Sequence, residues 1–236
     1  MKKVFIFLLL IISCDPDGDD NDFETTPYSL FYPSDVFPTM LIPEDNLLTQ
    51  EGVSLGKKLF FDPILSSNNA ISCASCHIQA NSFSDPNQYS IGINGDFGFR
   101  NAFSLVNIGW NSSFNWDGSA SSLENQVFEP VTNPIEMANN WAQVENDLNA
   151  SSEYRNLFKQ AFNIDCIDST HVAKAIAQFE RTLISYNSRY DKWTKGEVMF
   201  TNEELDGLNI FTTERGDCFH CHGNINFMDN SFHNNE

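Results

Sequence analysis

The alternation of apolar and polar residues along this 236-residue chain outlines its elements before any chemistry is considered. Lys2 and Lys3 precede an unbroken apolar run at residues 4–12. That run is less than half of a membrane span, so it reads as the core of an export leader and not as a transmembrane helix. Residues 55–60 (LGKKLF) and 205–211 (LDGLNIF) both show helical apolar spacing. In the second of these, Glu203 and Glu204 lie early, where negative charge complements the helix dipole. The clearest 3.6-residue stripe starts at Ser169 and runs through Val172, Ala173, Ile176, Phe179, Leu183 and Ile184. Ser169 or Asp168 can cap it. His171, in its first turn, reads as a surface residue.

Each of the first two predicted helices leads into the same short motif, Cys73-x-x-Cys76-His77 and Cys218-x-x-Cys221-His222. Cys-x-x-Cys-His is the attachment signature of a c-type haem: two cysteine sulfurs bond the porphyrin edge and the histidine ligates the iron. The alternatives are a zinc site with four cysteine ligands, or two disulfides, neither of which needs a histidine after the second cysteine. Similar tails follow the two motifs, Asn81-Ser82-Phe83-Ser84-Asp85 and Asn226-Phe227-Met228-Asp229, so motif and surroundings form an internal repeat. A helix entering a haem motif is how a cytochrome c domain begins. The expected protein is therefore mostly α, with two cytochrome c-like domains at 44–186 and 187–236. The stripe from Ser169 is the closing helix of the first, and residues 187–195 read as the connection into the second. That second domain is expected to be incomplete, because the sequence gives it no closing helix after His222.

Composition adds the setting. Residues 11–14 (IISC) resemble the lipobox of bacterial lipoproteins, which makes residues 1–13 the signal peptide and Cys14 the lipidated residue. Export agrees with the haem motifs, because c-type haems are attached outside the bacterial inner membrane. Residues 14–43 then read as an acidic tether and lead-in; residues 15–24 hold six acids and too little apolar surface to fold. Without the leader the chain has 11 basic and 32 acidic side chains. That balance argues against nucleic acid, whose phosphates call for Lys and Arg, and suits a cationic protein partner. With four cysteines assigned to haem and one to lipid, Cys166 is left as a buried, small apolar residue.

Across whole segments the chain resembles the bacterial di-haem cytochrome c peroxidases and their MauG-type relatives. The resemblance runs from about Glu44 to the last residue. Its marks are 55–63 (LGKKLFFDP), 72–77 (SCASCH), 98–102 (GFRNA), 114–118 (FNWDG), 123–126 (LENQ), 129–130 (EP), 133–137 (NPIEM), 175–183 (AIAQFERTL) and 218–223 (CFHCHG). It implies two covalently bound haem c groups, with His77 the proximal ligand of the peroxidatic haem and His222 that of an electron-donating haem. It makes Glu136 and Gln126 the distal pair, with Pro130 between them, Trp116 a tryptophan between the haems, and Asn101 a calcium ligand. The implied activity is reduction of hydrogen peroxide to water with electrons from a small c-type cytochrome or copper protein. The alternatives are a di-haem electron carrier without turnover and a MauG-like oxidase acting on a protein. The implied location is the periplasm or cell surface, with a lipid anchor as the sole membrane attachment, and a homodimer is a further expectation.

The chemistry asks for these residue types independently. Peroxide must lose a proton from one oxygen and gain one on the other before its O–O bond breaks, and a single pocket carboxylate such as Glu136 does both. Gln126 can donate a hydrogen bond to the oxygen that gains negative charge. One departure stands out. Where many of these peroxidases carry a histidine that caps the resting haem, this chain has Ile93, which cannot ligate iron. An open or water-occupied sixth position is therefore expected. The usual sixth ligand of the donor haem falls in a region that has no counterpart in this sequence.

Overall fold

The structure is a computed structural model that describes residues 23–223 and 225–233. The leader and Cys14 lie outside the described residues. Among the described residues the chain is helical, and its only β pairing is four isolated bridges. In chain order the helices are α1 (Gln50–Phe61), α2 (Cys73–Cys76), α3 (Leu123–Thr132), α4 (Trp141–Ala150), α5 (Ser152–Phe162), α6 (Ser169–Glu180), α7 (Arg189–Thr194) and α8 (Asn202–Phe211). No helix among the described residues is long and apolar enough to cross a membrane.

The two strongest stripes of the sequence become the central pair, α1 lying against α6. Thr49 caps α1 by accepting from the Gly52 amide, and Asp168, the second of the two cap candidates, caps α6 through the His171 amide. Close approach is possible because Gly56 lies on the contact, where an added Cβ would sit 1.8 Å from the Ala175 carbonyl oxygen. Leu55, Leu59 and Phe60 meet Val172, Ala173 and Ile176, and Phe158 of α5, Leu148 of α4 and Leu123 and Val127 of α3 complete the core. The predicted stripe overruns its helix. α6 stops at Glu180, and Thr182 turns back to Phe179 through both its amide and its hydroxyl, so Leu183 and Ile184 lie beyond the helix.

Part of the lead-in is attached to this body. Pro27 pairs with Thr49, Phe37 stacks on Trp110 at 4.4 Å, and Trp110 donates to the Pro38 carbonyl. Asn46 joins three segments: it accepts from Gln178 and donates to Glu124 and to the Lys174 carbonyl. Beyond Arg181 no described residue is buried. The predicted connection at 187–195 contains α7, started by a capping box between Ser188 and Asp191. α8 starts the same way, with Thr201 and Glu204. His171 is paired with Asp168, as its place in the first turn of α6 allows. Cys166 differs from expectation. It is half-buried, because it lies in the turn between α5 and α6 and outside the apolar interior.

Candidate functional site: a haem-sized cavity beside the first Cys-x-x-Cys-His motif

The first motif is a single helical turn that ends on its histidine. The His77 amide donates to the Cys73 carbonyl, which closes the turn. Phe83 then adopts a left-handed backbone, φ 54°, and aims its carbonyl at the imidazole, 3.0 Å from Nδ1. A carbonyl only accepts, so the proton sits on Nδ1 and Nε2 carries the free lone pair. Burial lowers the His77 pKa, which keeps the ring neutral and able to bind a metal. Phe103 meets the ring edge-on at 5.7 Å.

The second motif repeats the device. The His222 amide donates to the Cys218 carbonyl, Phe227 has φ 53°, and its carbonyl lies 2.6 Å from His222 Nδ1. The surroundings differ: Cys218 and Cys221 are half-buried, and no packed core lies behind them. Cys73, Cys76, Cys218 and Cys221 are all free thiols. Among the described residues, no grouping suited to a metal ion brings the two cysteine pairs together. Neither two disulfides nor a four-cysteine zinc site fits this arrangement.

Cys73, Cys76 and His77 border a cavity of about 480 Å³. Gln126, Pro130 and Glu136 border it too, as do Trp116, Asn101, Phe103 and Glu180. The sequence-predicted distal pair and the first motif therefore share one chamber. Gln126 comes from α3, whose Ser122 cap fixes its start. Glu136 comes from the turn after α3, held because the Asn133 side chain accepts from the Ile135 amide and donates to the Glu136 carboxylate at 2.7 Å. Glu136 is open to the cavity yet walled by protein on its other sides. Burial raises its pKa, the charge of Glu129 adds to this, and the Asn133 hydrogen bond opposes it.

Ile93 is absent from the cavity wall. The hairpin that carries it, paired at Ile91 and Phe97, packs over the Glu136 loop, and the Ile93 amide donates to the Glu136 carbonyl. Gly92 permits this approach, because a Cβ there would meet the Ile135 carbonyl oxygen. Where a ligating histidine was sought, the chain has a brace for the acid. Among the described residues, His77 is the one imidazole bordering the cavity.

Trp116 lies at the cavity mouth, 58 % exposed, and donates from Nε1 to the Asn101 carbonyl at 2.7 Å. Two residues on, Gly118 packs against Phe232, in the segment after His222. Asn226 of that segment donates to the Asn107 carbonyl and to the Asn111 side chain. Trp116 thus sits where the two motif-bearing segments touch. Asn101 uses its amide nitrogen to tie the carbonyls of Asp85 and Asn87, and its Oδ1 lies 3.4 Å from the Ser84 hydroxyl. Glu180 is a buried cavity residue with no role assigned from the sequence. The signal was present: it falls four residues after Ile176, on the apolar stripe.

A wall with two thiols, a neutral imidazole with a free Nε2 and a chamber of this size fits a c-type haem. Comparison with known proteins agrees. Residues 50–199 match the family model described as di-haem cytochrome c peroxidase. The chain belongs to the di-haem cytochrome c peroxidase family. It is 39 % identical over 197 residues to the methylamine utilization protein MauG of Methylorubrum extorquens, covering 81 % of this chain and 54 % of that protein. It is 39 % identical over 169 residues to the cytochrome c551 peroxidase of Nitrosomonas europaea, covering 71 % of this chain and 50 % of that protein. Among solved structures, a MauG-like protein associated with microbial copper homeostasis superposes with a TM-score of 0.80 at 32 % identity, covering 89 % of this chain and 62 % of that one. The chain spans about half the length of the curated relatives it matches. Membership implies haem c as the cofactor.

Proposed function

We propose that this chain is a di-haem c-type peroxidase that reduces hydrogen peroxide to water, with the cavity beside His77 as the peroxide site. The observation that carries this is the chamber itself, which sets Gln126 and Glu136 in one space with the His77 imidazole and the Cys73 and Cys76 thiols. Cys73 and Cys76 would hold the first haem by thioether bonds with His77 on its iron, and Cys218, Cys221 and His222 the second. Bound haem iron supplies the coordination site for peroxide and takes up the oxidising equivalents. Glu136 would accept a proton from one peroxide oxygen and return it to the other, which leaves as water. Gln126 donates a hydrogen bond to the oxygen on which charge collects. Trp116, between the two motif-bearing segments, would relay an electron from a haem held at His222 toward the cavity.

The finer parts of the reading are proposals of the same kind. Electrons come from a small c-type cytochrome or copper protein, and the acidic chain favours a cationic one. Asn101 contributes to a calcium site. Cys14 carries lipid after removal of residues 1–13, which places the protein in the periplasm or at the cell surface, and it forms homodimers. Domain limits at 44–186 and 187–236 belong to the same proposal. The test is stopped-flow consumption of hydrogen peroxide by the haem-loaded chain with a reduced small cytochrome. Turnover that needs Glu136 supports the reading. Two low-spin haems inert to peroxide would make the protein an electron carrier, and peroxide-driven modification of a protein would make it a MauG-like oxidase.

A further inference from the structure

Of the four acids that border the cavity, Asp117, Glu129, Glu136 and Glu180, only Glu180 is buried. Glu180, the last residue of α6, is 4 % exposed, and its Oε2 has no hydrogen-bond partner. It borders the cavity together with Ile176, one turn earlier on the same helix. Arg181 follows it but is committed elsewhere, donating to both carboxylate oxygens of Glu124 at 2.7 and 3.1 Å. An unpaired carboxylate in such a place is costly, so the group holds its proton until a positive charge comes near. Burial pushes Glu180 up to about 8, with Arg181 opposing and Glu124 adding to the effect.

Its placement complements that of Glu136. Glu180 acts on the Cys73 thiol and Glu136 on the Cys76 thiol, so the two carboxyls flank different attachment points of the cavity. The ionisable groups around Glu180 are Arg181 beside it, Glu124 on α3, Cys73 on α2, and His77 and Glu136 on the cavity wall. The basic residues of α1 lie elsewhere: Lys58 pairs with Glu153, and Lys57 borders a separate hollow beside Phe61. Glu145 of α4 is bonded to the Ser169 amide at the opposite end of α6.

We propose that Glu180 is the charge-balancing group of the first haem cavity, releasing its proton when the iron there is oxidised and regaining it when an electron arrives. The proposal rests on the haem reading above. Ferric iron in a porphyrin dianion leaves one net positive charge, which offsets the Glu180 carboxylate. When an electron from the donor removes that charge, the carboxylate becomes an uncompensated buried anion and takes one proton from solvent. One electron and one proton enter together, the iron is reduced, and the carboxyl O–H is the bond formed. Glu180 acts through the cofactor's charge and not on peroxide.

The test is a spectroelectrochemical titration of the haem-loaded full chain from about pH 5 to about pH 9, the range spanning the shifted carboxyl. The wave of the first haem is identified by its response to cyanide, which enters an open iron position. In the unsubstituted protein that wave moves to lower potential as pH rises. In Glu180→Gln it stays at the acid-limit potential throughout, while Glu180→Asp keeps the slope. A purely structural carboxyl would change haem content or melting temperature and leave the slope alone. Equal slopes in the unsubstituted protein and Glu180→Gln, or no slope in the unsubstituted protein, would overturn the proposal. If Glu180→Gln fails to load haem, slopes retained in the unsubstituted protein and in Glu180→Asp support it. Absence of covalent haem at Cys73 and Cys76, read by absorption of the denatured and reduced protein, sinks the proposed function itself and is a separate result.

Discussion

At the scale of single residues, the cavity separates two carboxyl groups by their company. Glu136 is hydrogen-bonded by Asn133 and close to Glu129, whereas Glu180 has an oxygen with no partner at all. Glu136 as a base must be ionised. Burial and the Glu129 charge raise its pKa, so the loss of peroxide reactivity on acidification should set in at a higher pH than for an ordinary glutamate. Glu129→Gln removes the like charge, and the acid limb of kcat/KM against pH should move down. An unmoved limb would mean that another group titrates. Glu136→Gln, which can neither take nor return the proton, should cost about 10²- to 10⁴-fold in kcat/KM for peroxide, measured by stopped flow. Gln126 and Glu136 were legible in the sequence because they sit in dense runs of family-like residues. Glu180 lies in such a run too, at 175–183, but drew no role, because a lone acid on an apolar stripe reads as an interruption until its neighbours are seen to bury it.

At the scale of elements, the α1–α6 pair is the scaffold, and its tolerances are tight. Gly56→Ala forces a methyl against the Ala175 carbonyl, and overpacking of this kind costs about 1–3 kcal/mol. Thermal unfolding should show a lowered midpoint with helical content retained. Arg181 couples α6 to α3 through a two-bond pair with Glu124, both ends largely removed from water. Burial alone would raise Glu124, but Arg181 and Asn46 hold it below its ordinary value. Arg181→Met should cost about 3–5 kcal/mol in denaturant unfolding, because it leaves the Glu124 charge with the Asn46 hydrogen bond alone, near the buried Glu180. The double variant Arg181→Met with Glu124→Gln should recover much of that loss. Helices α1, α6 and α8 were readable from periodicity, and α6 from its cap as well. α4 and α5 were missed: the stripe of Tyr154, Phe158 and Ala161 on α5 was there to be read in the spacing and went unread, whereas α4 buries Val144 and Leu148 among polar residues. The turn at Thr182 was hidden as well, since its hydrogen bonds to Phe179 leave no trace in the spacing of Leu183 and Ile184.

At the scale of the whole molecule, burial is uneven. The first motif stands on a continuous core, whereas no described residue beyond Arg181 is buried. Amides of α8 should therefore exchange with deuterium far faster than those of α6, and mass-resolved exchange would show the contrast. Equal protection would mean that the second segment has support beyond what these contacts provide. Haem bound at Cys218 and Cys221 should slow exchange in α8 selectively. Yet the two histidines are set alike, by a turn closed on Cys73 or Cys218 and a left-handed phenylalanine that offers its carbonyl to Nδ1. The same device stands once on a packed interior and once with almost none. Ligand aim in this protein is thus a local, transferable property, written into about ten consecutive residues. In each motif the turn that carries the histidine and the carbonyl that faces its Nδ1 come from one short stretch of chain, so the iron would meet a ligand aimed by its own segment.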